Sequence, residues 1–342
     1  MLRRAEDSVL RLCDEVGDAA ALRAGVIEVL QRAIGFDAFV WILTDPVSTV
    51  GAAPYAAVPA PEALPEVIRC KYLTAEHRWT ALVGAARLSD LGQDEARPWR
   101  ELLGRHGVVD VASVVHSDKH GTWAFLDLWR GGNVFTADEM DLLDRTRAPL
   151  TAALRRCQAT TMSDLPHREV AEVEPVVLLV DDLLRVVGDT QAAATWLARL
   201  LPPSPGQGPV PAVVYNVAAQ LVAREAGVDS HPAYARVHLG SGQWISVRAA
   251  RLQGSDRRDL IAVSLQETAP LERLQVFTRA FGLSDRETKL VGLLAGGLDT
   301  HALAERMSLS PHTVQDHLKS VFNRTGTRSR PVLLSRALGV TP

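Results

Sequence analysis

The last 60 residues carry an ordered series of helix start and stop signals, and this series constrains the fold more than any other feature of the chain. Ser284-Asp-Arg-Glu287 has the pattern of a capping box, and apolar residues at helical spacing follow it. Gly296-Gly297 ends that helix, and Asp299 can cap a short second one. Ser310-Pro311 begins a third helix with proline at its first position. Two short helices joined by a tight turn form a helix-turn-helix, so we predict a compact all-α four-helix domain over residues 283–342.

A helical wheel at 100° per residue gives the third helix two different faces. Five polar side chains fall within one arc of about 100°: His312, Gln315, Asp316, Lys319 and Asn323. The opposite side holds Val314, Leu318, Val321 and Thr325. Because that side would pack inside the bundle, the polar arc is free to enter a DNA major groove, which is about 12 Å wide. The pattern predicts a surface that reads double-stranded DNA.

The charge distribution favours the same prediction. Residues 271–342 hold ten Lys or Arg against six Asp or Glu, a net charge of +4, so the rest of the chain carries −7. A basic tail on an acidic body suits DNA binding through the release of counterions. Four residues at the flanks of the polar arc are expected to face phosphates: Thr313, Arg324, Arg328 and Arg330. The plainer alternative is a solvated helix face that binds no DNA.

Five segments of this region together resemble the LuxR-type helix-turn-helix family. They are Leu283-Ser-Asp-Arg-Glu287, Leu293-Leu-Ala-Gly-Gly-Leu298, Leu309-Ser-Pro-His-Thr-Val314, His317-Leu318 and Arg324-Thr-Gly-Thr-Arg-Ser-Arg330. The resemblance implies a DNA-binding transcription regulator that acts as a homodimer, with RNA polymerase as a candidate partner. It also implies that the helix beginning near Ser329 helps to pair the protomers.

The chain departs from the family pattern at Gln315 and Ala302. Gln315 stands where the family usually has lysine, so a cation that contacts DNA is lost. Asp316 beside it would be repelled by phosphate, but its carboxylate can accept from a cytosine amino group. Ala302 replaces a usual glutamate, so the second helix keeps its Asp299 cap without the reciprocal partner. These departures concern target sequence and affinity rather than the DNA-binding role.

Residues 1–160 are predicted to form an α+β domain with helices, antiparallel strands and a closing helix. The predicted elements are helices over residues 2–16 and 19–34, strands over 37–43, 108–116 and 122–130, and a helix from a capping box at Thr136 to about Gln158. Four prolines between residues 54 and 65 interrupt the pattern. The segment from Gly121 to Arg130, continued through Phe135-Thr136, resembles a GAF domain, which implies a sensor role.

Five of the seven tryptophans lie in this first block. Trp41, Trp79, Trp123 and Trp129 are candidate ligand-binding residues, because aromatic side chains line many small-molecule pockets. Aromatic side chains are more often part of a core, and both interpretations stay open here. The effector, a small molecule or a protein, is not identified by any motif.

Residues 174–269 are predicted to form a second α+β domain. Strand patterns cover residues 176–180, 235–239, 244–250 and 260–266, and helical spacing covers 191–200. The late hairpin from Gly240 to Arg248 resembles part of a PAS domain. Residues 158–174 are predicted as a linker, 202–211 as a loop and 270–282 as a connecting helix. The expected fold is therefore multidomain, with two α+β sensor domains, GAF-like and PAS-like, followed by the all-α four-helix domain.

A phosphoacceptor receiver domain is an alternative prediction for the second block. The reason is that Leu178-Leu-Val-Asp-Asp182 ends an apolar run in two carboxylates. Such a site needs an acidic pair for Mg²⁺, an aspartate at a later strand end and a lysine near the phosphoryl group. No lysine occurs between Lys119 and Lys289, and Asp229 does not end an apolar strand. The chemistry therefore argues against a receiver.

No motif of an enzyme is present, and we expect no catalytic residue, no metal and no cofactor. His116 and His120 flank Asp118 in a predicted hairpin turn, where we expect surface loop histidines rather than a metal site. The three cysteines lie 57 and 87 residues apart, which excludes a CxxC site and fits a reducing cytosol.

Apolar runs are too short to span a bilayer, so we expect a cytoplasmic protein without membrane contact. The alternative function is a protein-interaction module, in which the tail docks on a partner. A sigma-factor-like or polymerase-docking tail without specific operator readout belongs to this class.

Overall fold

The computed structural model describes residues 1–92, 94–163, 175–200, 210–240, 242–253 and 260–340. By the density of their contacts, residues group into two compact units. The first unit comprises Met1–Leu154, Glu172–Val237 and Ile245–Gln266, and the second comprises Arg155–Ala171, His238–Trp244 and Glu267–Pro342. The predicted linker over 158–174 and the predicted loop over 202–211 lie largely outside the described residues. The domain boundaries expected from the sequence stay predictions.

A five-stranded sheet and its flanking helices make up the first 160 residues. In chain order they are Leu2–Glu15 (α1), Ala19–Ala33 (α2), Ala38–Thr44 (β1), Gly51–Ala57 (β2), Leu64–Leu73 (α3), Ala86–Arg87 (β3), Arg97–Arg105 (α4), Asp110–Asp118 (β4), Gly121–Arg130 (β5) and Ala137–Thr160 (α5). The strand order is β2-β1-β5-β4-β3. The predicted first two helices, the β4–β5 hairpin and the long closing helix are confirmed. The capping box at Thr136 also forms, with the Thr136 N–H donating to Glu139 at 2.7 Å.

Strand β2 was not expected, because the prolines interrupt the pattern there. Pro54 nevertheless lies within β2, opposite Ile42 of β1. Strand β2 is at the edge of the sheet and needs hydrogen-bond partners on one side only, which is where a proline is tolerated. The segment around Pro54 is therefore an edge strand, although its prolines suggest a loop.

A second five-stranded sheet follows. Its elements are Val176–Asp181 (β6), Val186–Asp189 (β7), Ala193–Leu200 (α6), Ala212–Glu225 (α7), Tyr234–Gly240 (β8), Gln243–Arg251 (β9) and Leu260–Glu267 (β10). The order is β7-β6-β10-β9-β8, so both sheets place their strands second, first, fifth, fourth and third. The four strands expected from the sequence are confirmed, and β7 is additional.

Helix α7 is a central element of the first unit that the sequence pattern did not indicate. Nine of its residues are buried, including Asn216 and Gln220. The Asn216 amide donates to the carbonyl of Gly51 at 3.0 Å, and the Gln220 amide donates to the carbonyl of His231 at 2.8 Å. Because α7 is buried around most of its circumference, its sequence lacks the one-sided apolar stripe of a surface helix.

The second unit contains the C-terminal helices. They are Pro270–Ala280 (α8), Asp285–Ala295 (α9), Thr300–Met307 (α10), Pro311–Thr325 (α11) and Arg330–Leu338 (α12). Each helix contributes a side chain at most 1% exposed to one shared core: Phe277, Leu290, Leu303, Leu318 and Leu333. The helical C-terminal region expected from the sequence is confirmed, and Pro270–Ala280 lies within the stretch predicted as a connecting helix. Across the part of the chain that is described, no helix combines the length and the apolar character needed to cross a bilayer.

His116 corrects one expectation. The residue lies in β4 rather than in a turn and is 1% exposed, so it is not a surface loop histidine. Its ring stacks on Trp41 with 5.6 Å between the ring centroids. Burial lowers the pKa of the imidazole to about 4. The expectation failed because β4 continues to Asp118, which leaves only Lys119 and His120 for the turn.

Candidate nucleic-acid interface

The capping residues that the sequence indicated fix the starts of α9, α10 and α11. Ser284 and Glu287 form a complete capping box on α9. The Asp299 carboxylate accepts from the N–H of Ala302 at 2.9 Å, and the Ser310 hydroxyl accepts from the N–H of Thr313 at 3.1 Å. Because each cap satisfies a backbone donor that the helix itself leaves without a partner, the three helix starts are well defined.

A tight turn joins α10 to α11. Ser308 adopts a left-handed conformation with φ of 54°, and its N–H donates to the carbonyl of Glu305 at 3.2 Å. The N–H of Leu309 donates to the carbonyl of Ala304 at 2.9 Å, which closes the turn. At the other end of α11, Gly326 takes a φ of 63°, a conformation that glycine adopts without steric cost. These two left-handed residues bound the helix on which the predicted contacts lie.

Helix α11 has the two faces that the wheel predicts. The buried side chains are Val314, Leu318, Val321 and Thr325. The exposed side chains of the polar arc are His312, Gln315, Asp316, Lys319 and Asn323. The apolar face packs against α9 and α10, and the polar arc lies on the opposite, exposed side of α11. Whether these residues contact DNA stays a prediction.

His312 and Asp316 form a pair on this arc. The Nδ1 atom of His312 lies 3.1 Å from Oδ2 of Asp316, and both side chains are mostly exposed, at 87% and 65%. Residues four apart are neighbours on a helix surface, so helical spacing alone places these two side chains together. The sequence analysis predicts both residues on the arc but does not predict that they pair.

The residues predicted at the flanks have different surroundings. The Thr313 hydroxyl lies 2.9 Å from the Ser310 hydroxyl, within the cap. Arg324 donates to the carbonyl of Gly282 at 3.3 Å, and Arg330 donates to the hydroxyl of Thr300 at 2.7 Å. Arg328 is exposed. Arg324 is exposed as well, and the assignment of these residues to phosphates stays a prediction.

Glu287 connects the start of α9 to α11. Its carboxylate accepts from the Ser284 N–H at 2.8 Å and from the Ser320 hydroxyl at 2.6 Å, and Nε of Arg324 lies 3.6 Å away. Burial alone would raise the pKa of this carboxyl, but the hydrogen bonds and Arg324 outweigh burial and hold the pKa below its usual value. The cap function of Glu287 was predicted, whereas its bond to Ser320 depends on helix packing that no local pattern encodes.

The four candidate ligand-binding tryptophans are interior side chains, each at most 2% exposed. The Trp79 ring stacks on Phe125 at 4.5 Å between centroids, and its indole donates to the carbonyl of Thr49 at 3.0 Å. Trp129 packs edge-on against Trp99 at 6.1 Å, and the Trp123 indole donates to Asp118 at 3.1 Å. The aromatic partners of Trp41, Trp79 and Trp129 belong to the core, and the ligand-binding role stays a prediction.

A buried polar cluster lies beside the first sheet. Nζ of Lys71 is 2.9 Å from Oδ2 of Asp127, and the Ser113 hydroxyl donates to Oδ1 of Asp127 at 2.5 Å. Nδ1 of His77 lies 3.2 Å from the Ser113 hydroxyl. Burial and the nearby Lys71 charge lower the pKa of His77 to about 4. Ser113 stands between His77 and Asp127, so the three do not form the serine–histidine–aspartate relay of a hydrolase.

The carboxylates considered for a receiver have other partners. Asp181 accepts from the Arg185 side chain at 2.7 Å within its own turn. Asp229 is 2.9 Å from Nε of Arg78 and 2.6 Å from Nδ1 of His231. Burial alone would raise the pKa of Asp229, but the hydrogen bonds from His231 and the charge of Arg78 lower it to about 2. Within the described ranges, no group of three or more His, Cys, Asp or Glu has the arrangement of a metal site.

The caps, the tight turn and the exposed face of α11 define a helix-turn-helix DNA-binding domain. Residues 282–337 match the family model of bacterial regulatory proteins, luxR family, also designated GerE. This segment is therefore a LuxR-family helix-turn-helix domain, and it follows an N-terminal α/β region with two sheets.

Two solved structures of the protein SdiA are similar to the chain. The crystal structure of Escherichia coli SdiA has 13% identity and a TM-score of 0.35, and the match covers 98% of each chain. SdiA in complex with octanoyl-rac-glycerol has 14% identity and a TM-score of 0.32, covering 98% of this chain and 93% of that one. No curated protein matches the sequence.

Proposed function

We propose that the chain is a sequence-specific transcription regulator of the one-component type, in which α11 reads operator DNA. The observation that carries the proposal is the division of α11 into a buried apolar face and an exposed polar arc. In helix-turn-helix proteins the second helix enters the major groove, and its N-terminal residues contact base edges. Here the N-terminal turns of α11 carry His312, Gln315 and Asp316, all of them exposed.

Phosphate contacts would come from cations on this arc and near its end. Lys319 lies on the arc itself, and Arg328 is exposed just beyond the end of α11. Such contacts fix the register of a helix on the duplex without specifying sequence. The net charge of +4 on residues 271–342 favours the same association.

The two sheets are proposed to be sensor modules, GAF-like in residues 1–160 and PAS-like in residues 174–269. Their identical strand order supports two modules of related architecture. An effector, small molecule or protein, would bind one regulatory state better than the other and shift the equilibrium between them. The helix over Pro270–Ala280 is the covalent connection between these modules and the DNA-binding helices.

The operator is expected to be roughly palindromic with half-sites about one helical turn apart, because the proposed active form is a homodimer. In that dimer α12, which begins at Arg330, would help to pair the protomers. RNA polymerase is a further candidate partner at a promoter. We propose a cytoplasmic location, where DNA is accessible.

Selection from a random pool of duplex DNA by the full chain tests the function. The expected result is an enriched, roughly palindromic sequence whose binding in a gel-shift titration weakens steeply as salt increases. The same titration on a duplex of scrambled sequence is the control and should give weaker binding. Absence of any enriched sequence, together with a flat salt dependence, would favour the alternative of a protein-docking module.

A further inference from the structure

The His312–Asp316 pair occupies the part of α11 that is best placed to meet bases. Helix α11 begins at Pro311 after the Ser310 cap, so both residues lie in its first two turns. Their side chains are 87% and 65% exposed and point from the same arc, with 3.1 Å between His312 Nδ1 and Asp316 Oδ2. The two side chains would therefore reach a groove together.

The chemistry of the pair fixes what it presents to a base. An ionised carboxylate only accepts hydrogen bonds, so the His312 nitrogen facing Asp316 must carry the proton. In the neutral imidazole the other nitrogen, Nε2, is then an acceptor. The second carboxylate oxygen of Asp316 is also an acceptor. The pair thus presents two acceptors, where a free histidine could adopt either tautomer.

Major-groove edges differ in the donors that they offer to such a pair. Adenine and cytosine carry amino groups, N6 and N4, whereas guanine and thymine present oxygen acceptors there. Two acceptors side by side favour amino groups and oppose carbonyl oxygens. Four helical residues rise about 6 Å and successive base pairs are about 3.4 Å apart, so the two contacts fall one or two base pairs apart.

We propose that His312 and Asp316 act as one specificity-determining unit that selects adenine or cytosine at two nearby operator positions, with Asp316 setting the tautomer of His312. This inference rests on the proposed function, because it requires α11 to lie in the major groove. The competing description is an exposed pair that stabilises the helix only slightly and reads no base.

The decisive experiment is selection from a random duplex pool with the full chain and two variants. The native chain should enrich adenine or cytosine at two positions within each half-site. Asp316→Asn replaces the carboxylate by an amide that also donates, and it leaves the His312 tautomer free, so the preference should weaken about tenfold or more at both positions. His312→Ala should weaken the preference at one of them only.

A matched control is available on α10. His301 and Glu305 are also a histidine and a carboxylate four residues apart, with a longer distance of 3.9 Å between Nδ1 and Oε1, on a helix that does not carry the predicted reading face. Glu305→Gln should leave the selected sequence unchanged.

The outcomes separate the inference from the function on which it rests. No enriched sequence with the native chain would overturn the proposed function. An enriched sequence that Asp316→Asn leaves unaltered would overturn this inference alone. A change at a single position in Asp316→Asn would also overturn it, because Asp316 would then read its base independently of His312.

Discussion

Arg236 and Asp45, 191 residues apart in the chain, form a bidentate ion pair inside the first unit, with Nε–Oδ2 and Nη2–Oδ1 distances of 2.6 and 2.8 Å. Both side chains are at most 1% exposed. Asp45 also accepts from the N–H groups of Val47 and Ser48. Burial alone would raise the pKa of Asp45, but the Arg236 charge and these hydrogen bonds lower it. The pair joins the residue that follows β1 to a residue of β8. It therefore links two chain segments of the first unit, Met1–Leu154 and Glu172–Val237.

Arg236→Met is expected to destabilise the chain by about 3–5 kcal/mol, because it leaves the Asp45 carboxylate buried without its cation. Urea unfolding measures the effect. Adding Asp45→Asn to the variant should restore part of the stability, since the amide oxygen still accepts from the backbone while the unpaired charge is gone. Arg97→Met breaks an exposed pair with Glu101 and should leave the midpoint unchanged. Equal midpoints for Arg236→Met and Arg97→Met would contradict the assigned role of the buried pair.

The same pair illustrates where sequence reasoning stops. Charged residues are almost never fully buried unless they are paired, so Asp45 and Arg236 have no local signal of their burial. Asn216 is comparable, since its partner Gly51 lies 165 residues away. The sequence contains both members of each contact, but only the tertiary fold brings them together.

Features that depend on residues close together in the chain could be predicted from the sequence. The caps at Ser284, Asp299 and Ser310 were predicted from residue type and spacing, and all three are confirmed. The same holds for the buried face of α11, which depends only on helical periodicity. By contrast, edge strand β2 and buried helix α7 were missed because tertiary surroundings, rather than local propensity, decide their conformation.

Lys319→Ala is expected to weaken binding to the selected operator by about 1–3 kcal/mol, because it removes a cation from the reading face of α11. Gel-shift titration at several salt concentrations measures the change, and the slope of affinity against salt should become shallower. Lys119→Ala removes an exposed lysine from the first unit and serves as the matched control. If Lys319→Ala binds as tightly as the native chain at every salt concentration, α11 does not lie in the groove.

Ser320→Ala should destabilise the second unit, because the Ser320 hydroxyl donates to the buried Glu287 carboxylate at 2.6 Å. Loss of a hydrogen bond to a charged group costs about 1.5–3 kcal/mol. Thermal unfolding of the full chain measures the loss. Asn323→Ala, an exposed change on the same helix, is the control and should leave the melting temperature unchanged. If the two variants melt alike, the bond does not hold α11 to α9.

His116 makes the stability of the first unit depend on pH in a defined direction. Burial lowers its pKa to about 4, whereas an unfolded histidine has a pKa of about 6.5. Between these values the unfolded chain binds the proton and the folded chain does not, so the free energy of unfolding falls as the pH falls from 6.5 to 4. The shift corresponds to about 3 kcal/mol at the acid end. His116→Phe keeps an aromatic ring against Trp41 and should remove that part of the pH dependence. Urea midpoints followed by tryptophan fluorescence at pH 7, 5.5 and 4.5 measure it, with the exposed His301→Phe as control. Curves that fall in parallel for His116→Phe and the native chain would mean that folding does not lower the pKa of His116.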